Sequence, residues 1–350
     1  MADTSTTTRN PGIDLGRTWA VLLLTLPFLV SLRVIPVGRA PWIFSVMPDA
    51  STLFVALLGI AAYLYAQKTA FPQFFAGTIT RFIGLYLFGW VWAMFLVSAP
   101  FIRSGGGLLV PTLLITCSVV TLTTVLFVYL PLWAQVAYTV LICPHLPFMG
   151  EAVSRAAAQG DIFIHRYLSL VVPADAQPLL GNVLDYAWIA SAGVVLWRLY
   201  EDMGAKLAVP VVLCALAYSA YAWFTPAAVK WTRTLPWLTT VVIIAASIYA
   251  CAELARLLAG NALLNTALIP GQMSLSVSAV LLLILGAGAY PVYQMILPYL
   301  SGTSTWAVYG YAVFFSVIMV ALVLGIAVLL RKLTGRGPCE TFLALISGRG

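Results

Sequence analysis

The chain has 350 residues, 62% of them hydrophobic and 8% charged, with a net charge of +7 and a mean hydropathy of +1.00. Soluble domains carry about 25% charged residues, so a water-soluble fold is excluded. Apolar runs close to the roughly 20 residues that cross a bilayer mark an integral membrane protein.

The first 17 residues are a polar leader, without the charged–apolar–small pattern of a cleaved signal. Thr18–Leu32 is the first predicted span. Ser51–Ala66 and Phe82–Pro100 are the second and third, joined by a short basic connection that holds Lys68 and Arg81. Leu108–Leu130 and Leu132–Phe148 follow, meeting at Pro131. Gly150–Asp161 is the longest polar interval, and Ile162–Val172 is too short to span, so it reads as interfacial or re-entrant. Leu179–Tyr200, Leu207–Phe224 and Leu235–Leu258 are the sixth to eighth spans, with Glu201–Lys206 as a connection. A ninth opens near Gly271 and is interrupted by Pro291. A tenth, Trp306–Leu330, runs into a basic tail.

The expected fold class is therefore all-α, a polytopic transmembrane helical bundle of about ten spans. One domain covers residues 18–330, between the leader and a basic tail at 331–350. An even number of spans puts both termini on one side. Alternating connections give that side more of the Lys and Arg, which predicts cytoplasmic termini in a bacterial-type plasma membrane. Basic residues confined to connections set topology and give no nucleic-acid footprint.

Few polar groups lie where water is scarce. Asp49 stands at the mouth of the second span, where a carboxylate either caps a helix or marks a site. Asp14 and Arg17 are three apart, as are Glu253 and Arg256, so each couple can pair on a helix. His145 and His165 are the two histidines. Asp161 lies four residues before His165, on the same helical face, and can fix its tautomer as an orienting carboxylate does. Asp185 is the carboxylate placed deepest in a span, so it needs a partner or a proton. The five cysteines lack CxxC spacing and read as small buried hydrophobes. No metal, phosphate-loop or dinucleotide pattern is present.

Several short motifs occur in order along the chain: Asp14-x-x-Arg17 entering the first span, Arg39-Ala-Pro-Trp42, Pro48-Asp49, Phe54 and Gly59, Arg81-x-x-x-Leu85, the Gln177–Tyr200 stretch with Gly193 and Arg198, Pro270–Val277 and Gly337–Glu340. Together they resemble the heparan-α-glucosaminide N-acetyltransferase group of multi-spanning membrane acyltransferases and related bacterial membrane proteins. The family has His where this chain has Arg39, Gly where it has Thr18, and Thr where it has Ser276. An arginine stays protonated and cannot act as nucleophile or base, so Arg39 is expected to bind an anion or steady a developing oxyanion.

The resemblance implies transfer of an acyl group, acetyl in the family, from acyl-CoA to a hydroxyl or amine of a sugar, lipid or secondary metabolite. Arg17, Arg81 and Arg198 are expected to receive the donor's phosphates, with Asp185 also lining the substrate path. Asp49, Asp161 and His165 are expected to orient and deprotonate the acceptor. The implied partners are membrane lipid and a small-molecule or carbohydrate acceptor, with self-association compatible. A second reading, a non-catalytic carrier or flippase, comes from the missing family His and from spans broken by proline and glycine (Gly286, Gly288, Pro291), because discontinuous helices form substrate sites; a third is a degenerate family member acting as a structural partner.

Overall fold

The computed structural model describes residues 10–24, 50–97, 109–142, 179–224, 236–284 and 305–346. Every regular element among them is helical: α1 Pro11–Leu23, α2 Ala50–Lys68, α3 Phe71–Val97, α4 Leu109–Phe127, α5 Leu132–Ala137 with a π-helical turn at Tyr138–Ile142, α6 Leu179–Met203, α7 Ala205–Phe224, α8 Pro236–Leu257, α9 Ala262–Gln272, α10 Ser274–Ile284, α11 Thr305–Thr334 and α12 Pro338–Ile346. Among the described residues, four segments are long and apolar enough to cross a membrane: Ala50–Lys68, Phe71–Val91, Thr239–Leu257 and Val317–Thr334. Ile83, Leu87 and Val91 stand exposed at four-residue steps along α3. Such a stripe would be costly in water and is at ease against lipid tails.

Most predicted helices agree to within a few residues among the described residues, and four differ: α1 begins at Pro11, inside the predicted polar leader, and three more depart as follows. α3 begins at Phe71, so Arg81 sits inside a helix and not in a connection. Polar residues there remain helical because Thr78 and Thr80 donate their hydroxyls to the carbonyls of Phe74 and Ala76 one turn back, both at 2.8 Å. Pro72 falls in the first turn, where its missing N–H costs nothing. Glu201 belongs to α6, which runs on to Met203. The ninth predicted span is already broken at Met273 (φ −124°, ψ 36°), between α9 and α10; Pro291 lies outside the described residues.

The chain forms two compact units. The first contains α1, α7, α8, α9, α10 and α11, with the start of α12. Here α1 packs against α8 and α9, α7 against α8, and α11 against α9 and α10. The second contains α2 from Val55 onward, α3, α4, α5 and α6, with α4 packed against α3 and α6.

In the second unit, α2 and α6 approach through small residues. A Cβ on Gly59 would stand 2.2 Å from the Ala190 carbonyl oxygen, and one on Gly193 would stand 2.4 Å from that of Ala56. Ala56-x-x-Gly59 thus meets Ala190-x-x-Gly193, the small-residue crossing by which helices pack where lipid gives no hydrophobic drive.

Candidate functional site

Three sequence-predicted catalytic residues, Asp49, Asp161 and His165, lie outside the described residues, as do Arg39 and His145. Asp185 falls in the second turn of α6, and its side chain is also outside what is described. The remaining predicted residues, Arg17, Arg81 and Arg198, are placed in detail.

Arg17 pairs with Asp14 at 3.6 Å, and Arg256 with Glu253 at 2.7 Å, as their three-residue spacing predicts. Asn10 caps α1 by accepting from the Gly12 N–H at 3.0 Å, which starts the helix before the predicted span and buries Asp14. One turn along, the Thr18 hydroxyl donates to the Ala267 carbonyl at 2.7 Å and accepts from the Gly271 N–H at 2.9 Å. Those two backbone groups are four apart and would bond directly in an unbroken helix. Thr18 is inserted between them, next to Pro270 and one turn before the break at Met273, a recognised cause of kinks. The backbones are so close that a Cβ on Gly271 would stand 1.7 Å from the Asp14 carbonyl oxygen.

Beyond that break, α10 begins with free N–H groups, which in any helix favour an anion. Glu340 supplies it. Its Oε1 accepts from the N–H groups of Leu275 at 2.9 Å and Ser276 at 3.3 Å, and its Oε2 accepts from the Ser276 hydroxyl. The Cys339 N–H closes the clasp by donating to Ser276 Oγ at 2.9 Å. Burial pushes the Cys339 thiol up to about 11; the hydrogen bond to Ser276 pulls down, and the Glu340 charge pushes up.

Arg81 and Arg198 are both in the second unit, and both rest on tyrosines of α2. The Arg81 guanidinium lies 4.8 Å from the Tyr65 ring centre, and that of Arg198 lies 5.5 Å from the Tyr63 ring centre. Two residues along a helix turn through about 200°, so the two arginines occupy opposite sides of α2 and do not form one phosphate cradle.

Arg198 belongs to a built polar site at helix ends. α2, α4 and α6 all deliver their C-terminal ends to it, and each end carries partial negative charge on unsatisfied carbonyls. Arg198 Nη1 donates to the Leu130 carbonyl at 3.2 Å, just past the end of α4, and to Gln135 Oε1 at 2.8 Å. Gln135 is fully buried, and its amide nitrogen donates to the Phe127 carbonyl at 2.9 Å, so both of its ends are satisfied. Around Tyr63 the remaining groups are ordered. Gln67 donates to the phenol oxygen at 2.5 Å, which turns the phenol proton toward Glu201 Oε2 at 3.3 Å. Glu201 Oε1 accepts from the Trp197 indole at 2.8 Å.

Arg198 and Glu201 are therefore opposite charges one helical turn apart that make no ion pair with each other. Each is tied to neutral partners, with Tyr63 between them. Arg198 keeps Nη2 and Nε for another acceptor, and each Glu201 oxygen keeps a lone pair. The sequence signal for this site was the pair of four-residue spacings Tyr63/Gln67 and Trp197/Glu201, which face one way on a helix. Reading Glu201 as part of a connection hid it.

No family model, curated protein or solved structure matches this chain. The site thus stands on its own geometry. Among the described residues, no cluster of three His, Cys, Asp or Glu side chains is placed to hold a metal.

Proposed function

We propose that the protein is a polytopic membrane acyltransferase of about ten spans with cytoplasmic termini, transferring an acyl group from acyl-CoA to an amine or hydroxyl. Its motif order supports this, because residues singled out by their likeness to the acetyltransferase group meet as packing partners: Asp14 and Thr18 with Gly271, Gly59 with the Gly193 helix, Ser276 with Glu340. The observation that carries the reading is the Arg198–Tyr63–Glu201 site, whose two charges are held apart and open.

The charge balance revises Arg198's role. Three helix C-termini and a carboxylate surround a single guanidinium, an arrangement poorly suited to the several negative charges of CoA. It suits the polar end of an acceptor. Arg17 remains the donor-side arginine in this reading. In the transfer the thioester C–S bond breaks and a C–N or C–O bond forms, while the acceptor's proton passes by way of a base to the CoA thiolate. Glu201 helps hold the acceptor beside Arg198, and His165, oriented by Asp161 four residues earlier, is the base that their spacing offers.

Acetyl-CoA added to the detergent-solubilised protein should raise its unfolding temperature by mass action. The rise should disappear in Arg17→Ala and survive in Arg198→Ala. Loss of the rise in Arg198→Ala alone would return that arginine to the donor.

A second reading is favoured by one observation. The α9–α10 break, with a half-helix N-terminus holding a carboxylate, is the construction carriers use at substrate sites. It predicts that purified protein in vesicles moves a solute across the bilayer without consuming CoA.

A further inference from the structure

The same site specifies its ligand more narrowly, in an inference that rests on the acceptor reading above. We infer that the Arg198–Glu201 site takes a small zwitterion in which a primary ammonium and a phosphate are joined by a short linker. The argument is one of complementarity. Cβ atoms three residues apart on a helix are about 5–6 Å from each other, and here the two side chains diverge to opposite parts of the Tyr63 side chain. Arg198 lies over the ring face and Glu201 at the hydroxyl.

Neither charge is neutralised by the other, and both are oriented by groups with no net charge. Gln135 and the Leu130 carbonyl fix Nη1 of Arg198 and leave Nη2 and Nε as a fork for two phosphate oxygens. Trp197 and Tyr63 each give one hydrogen bond to Glu201 and leave it able to accept from an ammonium. The converging C-termini of α2, α4 and α6 add negative potential that favours the ammonium, as do the nearby faces of aromatic rings. A ligand with phosphate alone would meet Glu201 unpaired. One with ammonium alone would leave Arg198 open.

This chemistry has two sources, a soluble amino-phosphate and the headgroup of an aminophospholipid, and the site stands near the end of α2, a helix long and apolar enough to cross a membrane and reach the lipid headgroups. The test is binding to the full-length protein, read as a thermal shift and by calorimetry, with O-phosphoethanolamine, ethanolamine and inorganic phosphate in parallel. In a second arm the protein is placed in nanodiscs with and without phosphatidylethanolamine.

Phosphoethanolamine should bind at least tenfold more tightly than either half. Glu201→Gln, which keeps hydrogen-bonding capacity and removes the charge, should erase that advantage while inorganic phosphate binding persists. Arg198→Gln should abolish binding of both phosphates. Stabilisation by nanodisc lipid with no binding of the soluble compound identifies the headgroup as the source, and the converse identifies the soluble amine. Equal affinity for phosphoethanolamine and inorganic phosphate in the wild type, or no binding in either arm, overturns the inference whatever the variants do.

The acetyl-CoA measurement is separate. Donor binding without zwitterion binding would sink this inference and leave the acyltransferase reading. Zwitterion binding without any response to acyl-CoA would do the reverse.

Discussion

Thr18 shows how one hydroxyl can replace a backbone bond. Its insertion between Gly271 N–H and Ala267 C=O satisfies both and joins α1 to α9. Thr18→Val keeps the shape and strands those two groups, at a cost of about 1–3 kcal/mol. Thr18→Ser should recover most of that in a denaturation series. Cys339 offers a test by pH. Burial holds its thiol up to about 11, with the Glu340 charge a smaller push in the same direction, so thiolate is scarce at neutral pH and alkylation by iodoacetamide should be slow, accelerating as the pH climbs toward that value. An unfolded chain gives up this proton near pH 8.5. The stability linked to the protonated thiol is accordingly complete below about 8.5 and fades as the pH rises from there to about 11. Glu340→Gln removes the charge and should quicken alkylation at a fixed pH; an unchanged rate would show that the clasp does not guard the thiol.

Among the elements, α2 and α6 depend on their crossing. Gly193→Val places new carbons within 2.4 Å of the Ala56 carbonyl oxygen, and the helices must part or distort. The expected loss is about 1–3 kcal/mol from overpacking, measured as a lower unfolding temperature in detergent. Because the crossing sits one to two turns from Tyr63, Trp197 and Arg198, zwitterion binding should weaken with it. How far the elements were legible depends on their chemistry. α2 and α8 keep their charged residues to their C-terminal ends and could be read nearly to the residue. The start of α3 could not, since a Thr- and Arg-containing stretch looks like a connection until Thr78 and Thr80 are seen bonding back into their own helix and Arg81 resting on Tyr65. The break at Met273 was foreshadowed by Pro270 and Gly271, but Thr18, 249 residues before its Ala267 partner, is invisible to any local pattern.

At the scale of the chain, composition alone points to the membrane and the helices, and among the described residues four segments meet the length and hydropathy needed to cross it. The site was only half legible. Arg198 was found as a basic residue at a span's end, while its partner Gln135 and the opposing charge Glu201 come from a different helix and from a stretch read as a connection. Their roles follow from which helix ends share one side of the second unit, a fact of topology. The shared side is the one that alternating spans assign to the ends of α2, α4 and α6, and in the proposed orientation it faces the cytoplasm, where acyl-CoA is found. The central claim is that this protein moves an acyl group onto an acceptor held at Arg198 and Glu201. Its most direct test is release of free CoA thiol by the purified protein in lipid vesicles supplied with acetyl-CoA and O-phosphoethanolamine, with the acylated product measured beside it. The account predicts one thiol released per acceptor acylated, lost in Glu201→Gln and in His165→Ala through KM and kcat respectively. Intact acetyl-CoA beside a zwitterion that has crossed the vesicle membrane would contradict it and make the protein a carrier.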